Sequence, residues 1–325
     1  MCIPFLSWRS IRFLGIIVMT LSLLFAGCGR DRDTKVVDFS KTVQVKRAGD
    51  HRPREGSFRV AVAAMISAKE TFLYYQQFVN FVGRKLGLKG VLVQRRTYSE
   101  INELIGKGMI DMALVCSGPY ATEKEKYHME LLATPQIHGV PFYQAYLIVG
   151  RGSPFNSLSD LRGKVFAFTD PDSNTGRLVP LFWLKNIKGK PETFFGKTIY
   201  TYSHDNSIRA VSKGLVDGAS VDSLVWDYYA HQKSPLVDKT RIIKKSGYYG
   251  NPPLVINDGL DPELKSRLKQ VLFSMNRDPE GRKILNSLLI DRFLAPDEQW
   301  YGTIRKMKVF LSSLEGGKFA ARNQP

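Results

Sequence analysis

Cysteine and histidine are scarce in this chain of 325 residues. Of the three cysteines, Cys2 and Cys28 lie near the N-terminus, and only Cys116 lies in the body of the chain. The sequence therefore excludes an internal disulfide and a cysteine-based zinc site in the body, and Cys116 is expected to be a small buried hydrophobic residue. The five histidines are scattered, without the H-x-x-x-H spacing of many metal sites. We expect neither a metal nor another cofactor.

Acidic residues are fewer than basic ones. The chain has 30 Asp and Glu and 47 Lys and Arg, which gives a net charge of +17. Such an excess is typical of proteins that bind nucleic acid, anionic membrane surfaces or small anions. The positive charge is spread along the chain apart from a basic run at residues 41–54. That run lies in a polar stretch, residues 29–57, which predicts a flexible tether.

The first 28 residues differ from the rest of the chain. Two arginines precede an apolar run at residues 13–25, which is too short to span a bilayer comfortably but has the length expected in a signal peptide. Ala26 and Gly27 then precede Cys28, and this ending resembles a bacterial lipobox, with phenylalanine where the motif more often has leucine. We expect residues 1–27 to be a signal peptide and Cys28 to be lipidated. A plain signal peptide and an uncleaved anchor are the alternatives.

An exported lipoprotein would lie in the cell envelope, anchored to a membrane, with its body facing the periplasm or the cell exterior. Such a protein seldom meets nucleic acid. The positive charge is therefore assigned to attraction of small anions or to anionic membrane surfaces, and no nucleic-acid partner is expected.

From Phe58 onward the pattern alternates between strand and helix. The segments FRVAVA, VLVQRR and MIDMALV predict three strands, and helices with S/T-x-x-E capping boxes begin after Ser67 and Thr97. A second series from about Gly150 contains the strands VFAFT, TIYTY, VDGASV and RIIKKS, and three further helices are expected near 261–275, 278–287 and 297–313. This alternation predicts an α/β fold with parallel strands flanked by helices.

An internal repeat suggests two similar lobes. KGMIDMALV at 107–115 and KGLVDGASV at 213–221 each place a helix end, a glycine and a buried strand before small polar residues. The alternative is that α/β proteins in general repeat such units. Because ligands of open α/β sheets bind beyond the carboxyl ends of the strands, the polar residues after these strands are expected to face one cleft.

The segment DPDSNTG at residues 170–176 follows the strand VFAFT and opens a helix. Ser, Thr and Asn are usual N-cap residues, so a cap alone explains the segment when it is considered in isolation. The second interpretation is an anion site, because free N–H groups and the helix dipole attract negative charge at a helix start.

Two longer segments, SLSDLRGKVFAFTDPDSNTGRLVP and YSHDNSIRAVSKGLVDGA, resemble the periplasmic phosphate/phosphite/phosphonate-binding proteins of ABC importers. The resemblance extends from about Phe58 to about Leu311. It implies a type II periplasmic binding protein fold, in which two α/β lobes are joined by two crossing strands, here near Ala145–Val149 and Gly250–Asn257. The implied divisions are 1–27 signal peptide, 28–57 lipidated N-terminus and tether, 58–147 lobe 1, 148–249 lobe 2, 250–313 return to lobe 1 and 314–325 tail.

In this family a Ser-x-Ser/Thr turn at a helix start binds the phosphonate oxygens, a histidine assists, and the opposite lobe supplies a polar loop. Asp222 would accept a proton from the ligand, although capping of the next helix is its alternative role, and His204 would donate a hydrogen bond, although it is equally an ordinary helix-start residue. The ligand-binding residues that the resemblance implies are Ser67, Ser117, Gly118, Tyr143, Ser173, Asn174, Thr175, His204, Asp222 and Asn251.

The chain departs from the family at two acidic positions, where aminoalkylphosphonate binders meet the ligand's ammonium group. Asn251 and Leu224 occupy them here, with Asp222 nearby. A plain oxyanion is therefore expected rather than an amino-bearing ligand. We expect Ser173→Ala and Thr175→Val each to lower affinity for that ligand while leaving stability nearly unchanged.

The functional expectation is a monomeric solute-binding lipoprotein. It would capture a small tetrahedral phosphorus oxyanion (phosphonate, phosphite or phosphate) and deliver it to an ABC permease in the membrane. A sensing lipoprotein that signals to a membrane receptor or histidine kinase is the alternative, and a scaffold with a degenerate site is a third possibility. A hydrolase built on Ser173, His204 and Asp222 is disfavoured, because the G-x-S-x-G elbow is missing.

Overall fold

Two mixed β-sheets with flanking helices form the body of the protein. The computed structural model describes residues 56–66 and 68–320. The predicted signal peptide, the predicted lipidation site Cys28 and the predicted tether as far as residue 55 lie outside the described residues, as do Ser67 and the last five residues of the predicted tail.

Six strands of the described residues form the first sheet. They are β1 (Ser57–Val62), β2 (Lys89–Gln94), β3 (Met112–Leu114), β4 (Met129–Gln136), β12 (Leu254–Asn257) and β13 (Arg292–Leu294). Their order is β13-β4-β12-β3-β1-β2. The strands β1, β2 and β3 are parallel, whereas β12 is antiparallel to β3 and β4, and β13 is antiparallel to β4. We call this sheet and its helices lobe 1.

A further five strands form the second sheet. They are β6 (Ala145–Gly150), β7 (Val165–Phe168), β8 (Lys197–Tyr200), β9 (Gly218–Asp222) and β10 (Thr240–Lys245), in the order β10-β6-β9-β7-β8. The strands β7, β8 and β9 are parallel, and β6 is antiparallel to both β9 and β10. Strand β9 is buried along its whole length, as expected for a central strand with helices on both faces. We call this sheet and its helices lobe 2.

Two short strands connect the lobes. β5 (Phe142–Tyr143) and β11 (Tyr249–Gly250) pair antiparallel with each other. The chain thus passes into lobe 2 through β5 and returns to lobe 1 through β11. β5 lies two residues before the first predicted crossing, Ala145–Val149, whereas β11 overlaps the start of the second, Gly250–Asn257. The predicted fold class, two α/β lobes joined by two crossing strands, is confirmed.

The helices begin where the sequence places polar caps. At the start of α2 (Tyr98–Gly106), Thr97 Oγ1 accepts the N–H of Glu100 at 3.3 Å and the Glu100 carboxylate accepts the N–H of Thr97 at 2.9 Å, which completes the predicted capping box. Within residues 56–66 and 68–320, no helix combines the length and apolar character needed to cross a bilayer. Lobe 1 contains α1 (Ala68–Leu86), α2 (Tyr98–Gly106), α3 (Ser117–Glu123), α9 (Pro262–Ser274), α10 (Pro279–Ser287) and α11 (Gly302–Ala320). Lobe 2 contains α4 (Val179–Asn186), α5 (Pro191–Phe194), α6 (His204–Ser212), α7 (Ser223–His231) and α8 (Pro235–Asp238).

The repeated segments adopt the same local structure in both lobes. The glycine of each segment has a positive φ, 64° in the first and 67° in the second, which glycine adopts without strain. The aspartate that follows bonds the backbone of the neighbouring strand. Asp111 accepts the N–H of Arg59 at 2.6 Å, and Asp217 accepts the N–H of Val165 at 2.8 Å. The repeat in the sequence therefore corresponds to equivalent helix-to-strand connections before β3 and β9.

Candidate functional site

Buried polar side chains meet between the lobes at the carboxyl ends of the strands. Lobe 1 contributes Tyr98 after β2 and Ser117 after β3, while lobe 2 contributes the turn after β7, His204 after β8, and Asp222 at the end of β9. All of these side chains are almost completely buried. The cleft position that the sequence predicted is therefore occupied by polar groups, which is costly unless they find partners.

The turn after β7 is a single π-helical turn, Asn174–Leu178, that continues into α4. Ser173 is its N-cap, and Ser173 Oγ accepts the N–H of Gly176 at 2.9 Å. A Cβ atom at Gly176 would overlap Thr169, so glycine is required for this close packing. Ser173 thus performs the capping role that is the simpler of the two interpretations of the segment.

The next two residues of the turn have a different environment. Asn174 Nδ2 donates to Tyr143 Oη at 3.1 Å, and Tyr143 Oη is also hydrogen-bonded to Ser117 Oγ. Thr175 is completely buried, and its hydroxyl has no hydrogen-bond partner among the described residues. Tyr143 of the crossing strand therefore links both lobes.

Gly118 allows the two lobes to come close together. A Cβ atom at this position would lie 2.7 Å from the backbone oxygen of Asp172 and 3.0 Å from the backbone nitrogen of Asn174. The start of α3 in lobe 1 consequently packs directly against the turn in lobe 2, which brings Ser117 beside it.

His204 presents a hydrogen-bond donor to the cleft. Its Nδ1 accepts the backbone N–H of Asp222 at 3.1 Å and lies 3.1 Å from Thr169 Oγ1. Burial lowers the pKa of His204 to about 3, so the ring is neutral at ordinary pH. Because Nδ1 is an acceptor, the ring proton is on Nε2. Nε2 is buried and has no partner in the described part of the chain.

Asp222 and Asp170 are the two buried carboxyl groups of the site. Asp222 accepts the N–H of Leu224 at 2.8 Å and caps α7, and burial raises its pKa to about 7. Asp170 accepts the N–H groups of Asp172 and Tyr98, and burial raises its pKa to about 6. In both groups burial raises the pKa more than the hydrogen bonds lower it, because the charged form loses hydration. Each carboxyl group is therefore protonated more readily than an exposed aspartate.

Three contacts show that the lobes are closed on each other. The backbone N–H of His204 donates to the carbonyl oxygen of Met65 at 2.9 Å, and the N–H of Tyr98 donates to Asp170 at 3.2 Å. The Arg96 guanidinium lies 4.8 Å from the ring centre of Tyr202. Each contact joins a residue of lobe 1 to one of lobe 2.

Tyr98 Oη, Thr175 Oγ1 and His204 Nε2 are hydrogen-bond donors in this closed region that lack a partner among the described residues. Ser203 Oγ beside His204 and the acceptor Asn174 Oδ1 lack one as well. Buried polar groups are hydrogen-bonded in the great majority of proteins, so orphaned ones point to a missing partner. Three donors, with Ser117 and Asn174 beside them, suit the oxygens of an anion.

The structure brings Ser117, Gly118, Tyr143, Asn174 and Thr175 into one cluster, joined to His204 and Asp222 through β9. Asn251 does not share a hydrogen bond with this cluster. Its Nδ2 donates to the carbonyl oxygens of Pro135 at 2.9 Å and Val140 at 3.4 Å, and its Oδ1 has no partner in the described part of the chain. It holds the segments near the crossing strands together.

Sequence reasoning missed Tyr98 and Asp170. Both follow the carboxyl end of a strand, Tyr98 at the first position of α2 in the loop-to-helix segment after β2, and Asp170 just after β7. The rule that ligands bind beyond the carboxyl ends of strands would have indicated both residues.

The catalytic-triad interpretation does not match the geometry. Ser173 Oγ is occupied by the N–H of Gly176, and His204 contacts the backbone of Asp222 rather than its carboxylate. Residues 56–66 and 68–320 contain no group of three His, Cys, Asp or Glu side chains placed to hold a metal ion.

Comparison with known proteins identifies the family. The model for "ABC transporter, phosphonate, periplasmic substrate-binding protein" matches residues 60–301. The chain belongs to this family. The resemblance seen in the sequence is thus confirmed, and the homologues are substrate-binding transport proteins rather than enzymes.

Individual relatives agree with this assignment. The phosphonates-binding periplasmic protein of Escherichia coli K12 is 24% identical over 238 residues, which are 72% of this chain and 70% of that protein. The crystal structure of a binding protein component of an ABC phosphonate transporter from Pseudomonas aeruginosa has a TM-score of 0.75 at 22% identity, covering 79% of this chain and 87% of that one. A Prochlorococcus marinus protein in complex with methylphosphonate has a TM-score of 0.70 at 17% identity, covering 79% and 98%. At these identities the two structures show the fold.

Proposed function

We propose that this protein captures a small phosphorus oxyanion, a phosphonate, phosphite or phosphate, between its lobes and delivers it to an ABC permease. The observation that carries the proposal is the set of three buried donors without partners, on Tyr98, Thr175 and His204. An oxyanion bound there would supply the missing acceptors. The family assignment favours delivery to a permease over the sensing role.

The chemistry of the donors fits an oxyanion. A hydrogen bond to a charged group contributes roughly 1.5–3 kcal/mol, about twice the contribution of a neutral pair. The neutral His204 ring donates through Nε2 without adding a buried charge that would need its own compensation. A metal is not needed in this arrangement.

The ligand range is inferred from relatives and from the two departures of this chain. A relative of known structure holds methylphosphonate. Asn251 and Leu224 stand where aminoalkylphosphonate binders of the family carry acidic residues, so an ammonium group would lack its counter-charge here. We therefore propose a ligand without an amino group, bound by Tyr98, Thr175 and His204 together with Ser117, Tyr143 and Asn174.

The cellular setting follows from the N-terminus and the family. We propose that the chain is exported, is lipidated at Cys28 and works as a monomer near its permease. The two lobes, proposed from the sequence at 58–147 with 250–313 and at 148–249, would close by rotation about the crossing strands. Because β6 (Ala145–Gly150) belongs to the second sheet, the first boundary is better drawn before residue 145.

A thermal-shift panel tests the proposed function. Methylphosphonate, phosphite and phosphate at millimolar concentration are expected to raise the melting temperature, because a ligand that binds only the folded state stabilises it. Sulfate and 2-aminoethylphosphonate serve as the comparison anions, and the Thr175→Val variant serves as the site control. The proposal would be refuted if methylphosphonate, phosphite and phosphate all left the melting temperature unchanged.

A further inference from the structure

An apolar pocket of about 90 Å³ lies between the lobes beside the proposed oxyanion site. Its walls come from both lobes, so it exists only when they are closed. The apolar side chains that line it include Met65, Leu114, Ile137 and Leu289 from lobe 1, and Leu224 and Val225 from lobe 2. The contacts described for the oxyanion site involve only backbone groups of these residues, the carbonyl oxygen of Met65 and the N–H of Leu224.

Asp222 connects the pocket to the oxyanion site. Its backbone N–H bonds His204, its carboxyl group caps Leu224, and its side chain lines the pocket. Asp222, at the junction of β9 and α7, therefore belongs to both the oxyanion site and the pocket.

From this continuity we infer that the ligand is a phosphonate with an apolar substituent, and that the substituent occupies this pocket. The inference rests on the proposed function. A cavity of about 150 Å³ accommodates benzene, so 90 Å³ suits a group of about three or four carbon atoms. Phosphite and phosphate would leave the pocket without an occupant.

The lining also discriminates against a cationic substituent. Leu224 is half-buried in the pocket wall at the start of α7. A positive group next to Leu224, Val225 and Ile137 would lose hydration, and burial of a charge is costly. Its polar neighbours in the lining would include Tyr75, Tyr228 and Asp222. Asp222 caps Leu224 with one carboxyl oxygen, and burial raises its pKa to about 7, so it compensates a cation less than an exposed aspartate does.

Calorimetry with three phosphonates tests the inference. Methylphosphonate, n-propylphosphonate and 2-aminoethylphosphonate have the same head group, and the last two have substituents of nearly the same size. Burial of each methylene contributes about fourfold in affinity, so n-propylphosphonate should bind roughly fifteenfold more tightly than methylphosphonate. It should also bind more tightly than 2-aminoethylphosphonate.

The Leu224→Asp variant tests the location of the substituent. Its new carboxylate would abolish the preference for n-propylphosphonate over 2-aminoethylphosphonate. Leu215→Asp is the matched control, because Leu215 is 69% exposed in the same lobe and lies outside the pocket lining; this variant should retain the wild-type preference. If Leu224→Asp does not fold, as judged by circular dichroism, the wild-type series decides alone.

Two outcomes separate this inference from the proposed function. Binding of methylphosphonate, phosphite or phosphate without a gain for n-propylphosphonate would overturn the apolar substituent and leave the proposed function intact. Failure of every phosphorus oxyanion to bind would overturn both.

Discussion

The carboxylate of Asp170 in lobe 2 accepts a hydrogen bond from the backbone N–H of Tyr98 in lobe 1, at 3.2 Å. Tyr98 is the first residue of α2, so the carboxylate lies at a helix N-terminus of the opposite lobe, where negative charge is favoured. The same group accepts the N–H of Asp172 within its own turn at 2.8 Å. Asp170 thus ties the turn that carries Thr175 to lobe 1 in the closed form.

Replacement of Asp170 by alanine should lower the affinity for methylphosphonate roughly five- to hundredfold, because an unpaired buried N–H costs about 1–3 kcal/mol in the closed form. A smaller closed population lowers the apparent affinity in proportion. Calorimetry gives the affinity, and small-angle scattering at saturation gives the radius of gyration.

Asp160→Ala is the control for that experiment. Asp160 accepts the N–H groups of Asn156 and Ser157 within lobe 2, so it caps a turn without joining the lobes. Its removal should leave affinity unchanged. Equal losses in both variants would show that Asp170 has no special role in closure.

Ser173 and Thr175 should respond differently to mutation, although the sequence alone suggested the same response. Ser173 Oγ caps the turn, so Ser173→Ala should lower the free energy of unfolding by about 1 kcal/mol. Thr175 Oγ1 has no partner among the described residues, so Thr175→Val should leave stability nearly unchanged and weaken oxyanion binding by one to two decades, the loss of one hydrogen bond of roughly 1.5–3 kcal/mol to a charged group. Urea titrations and calorimetry on both variants measure the two effects. If the Thr175→Val variant bound the oxyanion as tightly as the wild type does, Thr175 would not be a ligand-binding residue.

His204 should remain neutral well below the pH at which exposed histidines gain a proton. Burial lowers its pKa to about 3, so the ring keeps its single proton on Nε2 as the pH falls from 8 to 5. Nitrogen chemical shifts of the imidazole in a ¹⁵N-labelled sample report the tautomer and the charge. His51, which lies outside the described residues, is the comparison signal. Titration of His204 near pH 6.5 would contradict the burial that assigns its donor role.

Much of the architecture was predictable because it depends on local patterns. The repeated Lys-Gly segments, the Thr97 capping box and the alternation of strands with helices each depend on neighbouring residues, and each is present in the structure. The side on which the buried polar residues of the candidate site gather was also predictable, because parallel strands place their carboxyl ends at one edge.

The division of labour within the site was not predictable from the sequence. Ser173, Asn174 and Thr175 are adjacent and similar in character, yet one caps the turn, one bonds Tyr143 and one has no partner in the described part of the chain. That difference arises from the π-helical geometry of the turn and from the approach of lobe 1 at Gly118. Such contacts join residues far apart in the sequence, so local patterns carry no information about them.

Lipidation at Cys28 can be tested by fractionation. The Cys28→Ala variant, expressed in a bacterium with lipoprotein processing, should lose its membrane association, because the lipid is the proposed anchor. Cys2→Ala is the matched control, since it removes a cysteine from the same segment without touching the lipobox, and it should remain in the membrane fraction. Membrane association of Cys28→Ala equal to that of the wild type would exclude Cys28 as the anchor.

Asp222 should make stability depend on pH in the direction opposite to that of a typical paired aspartate. Burial raises its pKa from 3.8 to about 7, so the folded protein binds the proton more tightly than the unfolded chain does. The stability that this group contributes is full below pH 4 and is lost as the pH rises through 7. Wild type should therefore gain stability relative to Asp222→Asn as the pH falls from 7 to 5, by up to about 1.4 kcal/mol for each pH unit.

The Asp222→Asn variant is a close match, because its amide oxygen can still accept the N–H of Leu224 while the side chain no longer titrates. Urea titrations of both proteins at pH 5, 6, 7 and 8 give the difference in the free energy of unfolding. Contributions of Asp170 and His204 are present in both proteins and cancel in that difference. A difference that is constant across the four pH values would show that Asp222 keeps an ordinary pKa, and its carboxylate would then be charged in the cleft and would repel an oxyanion.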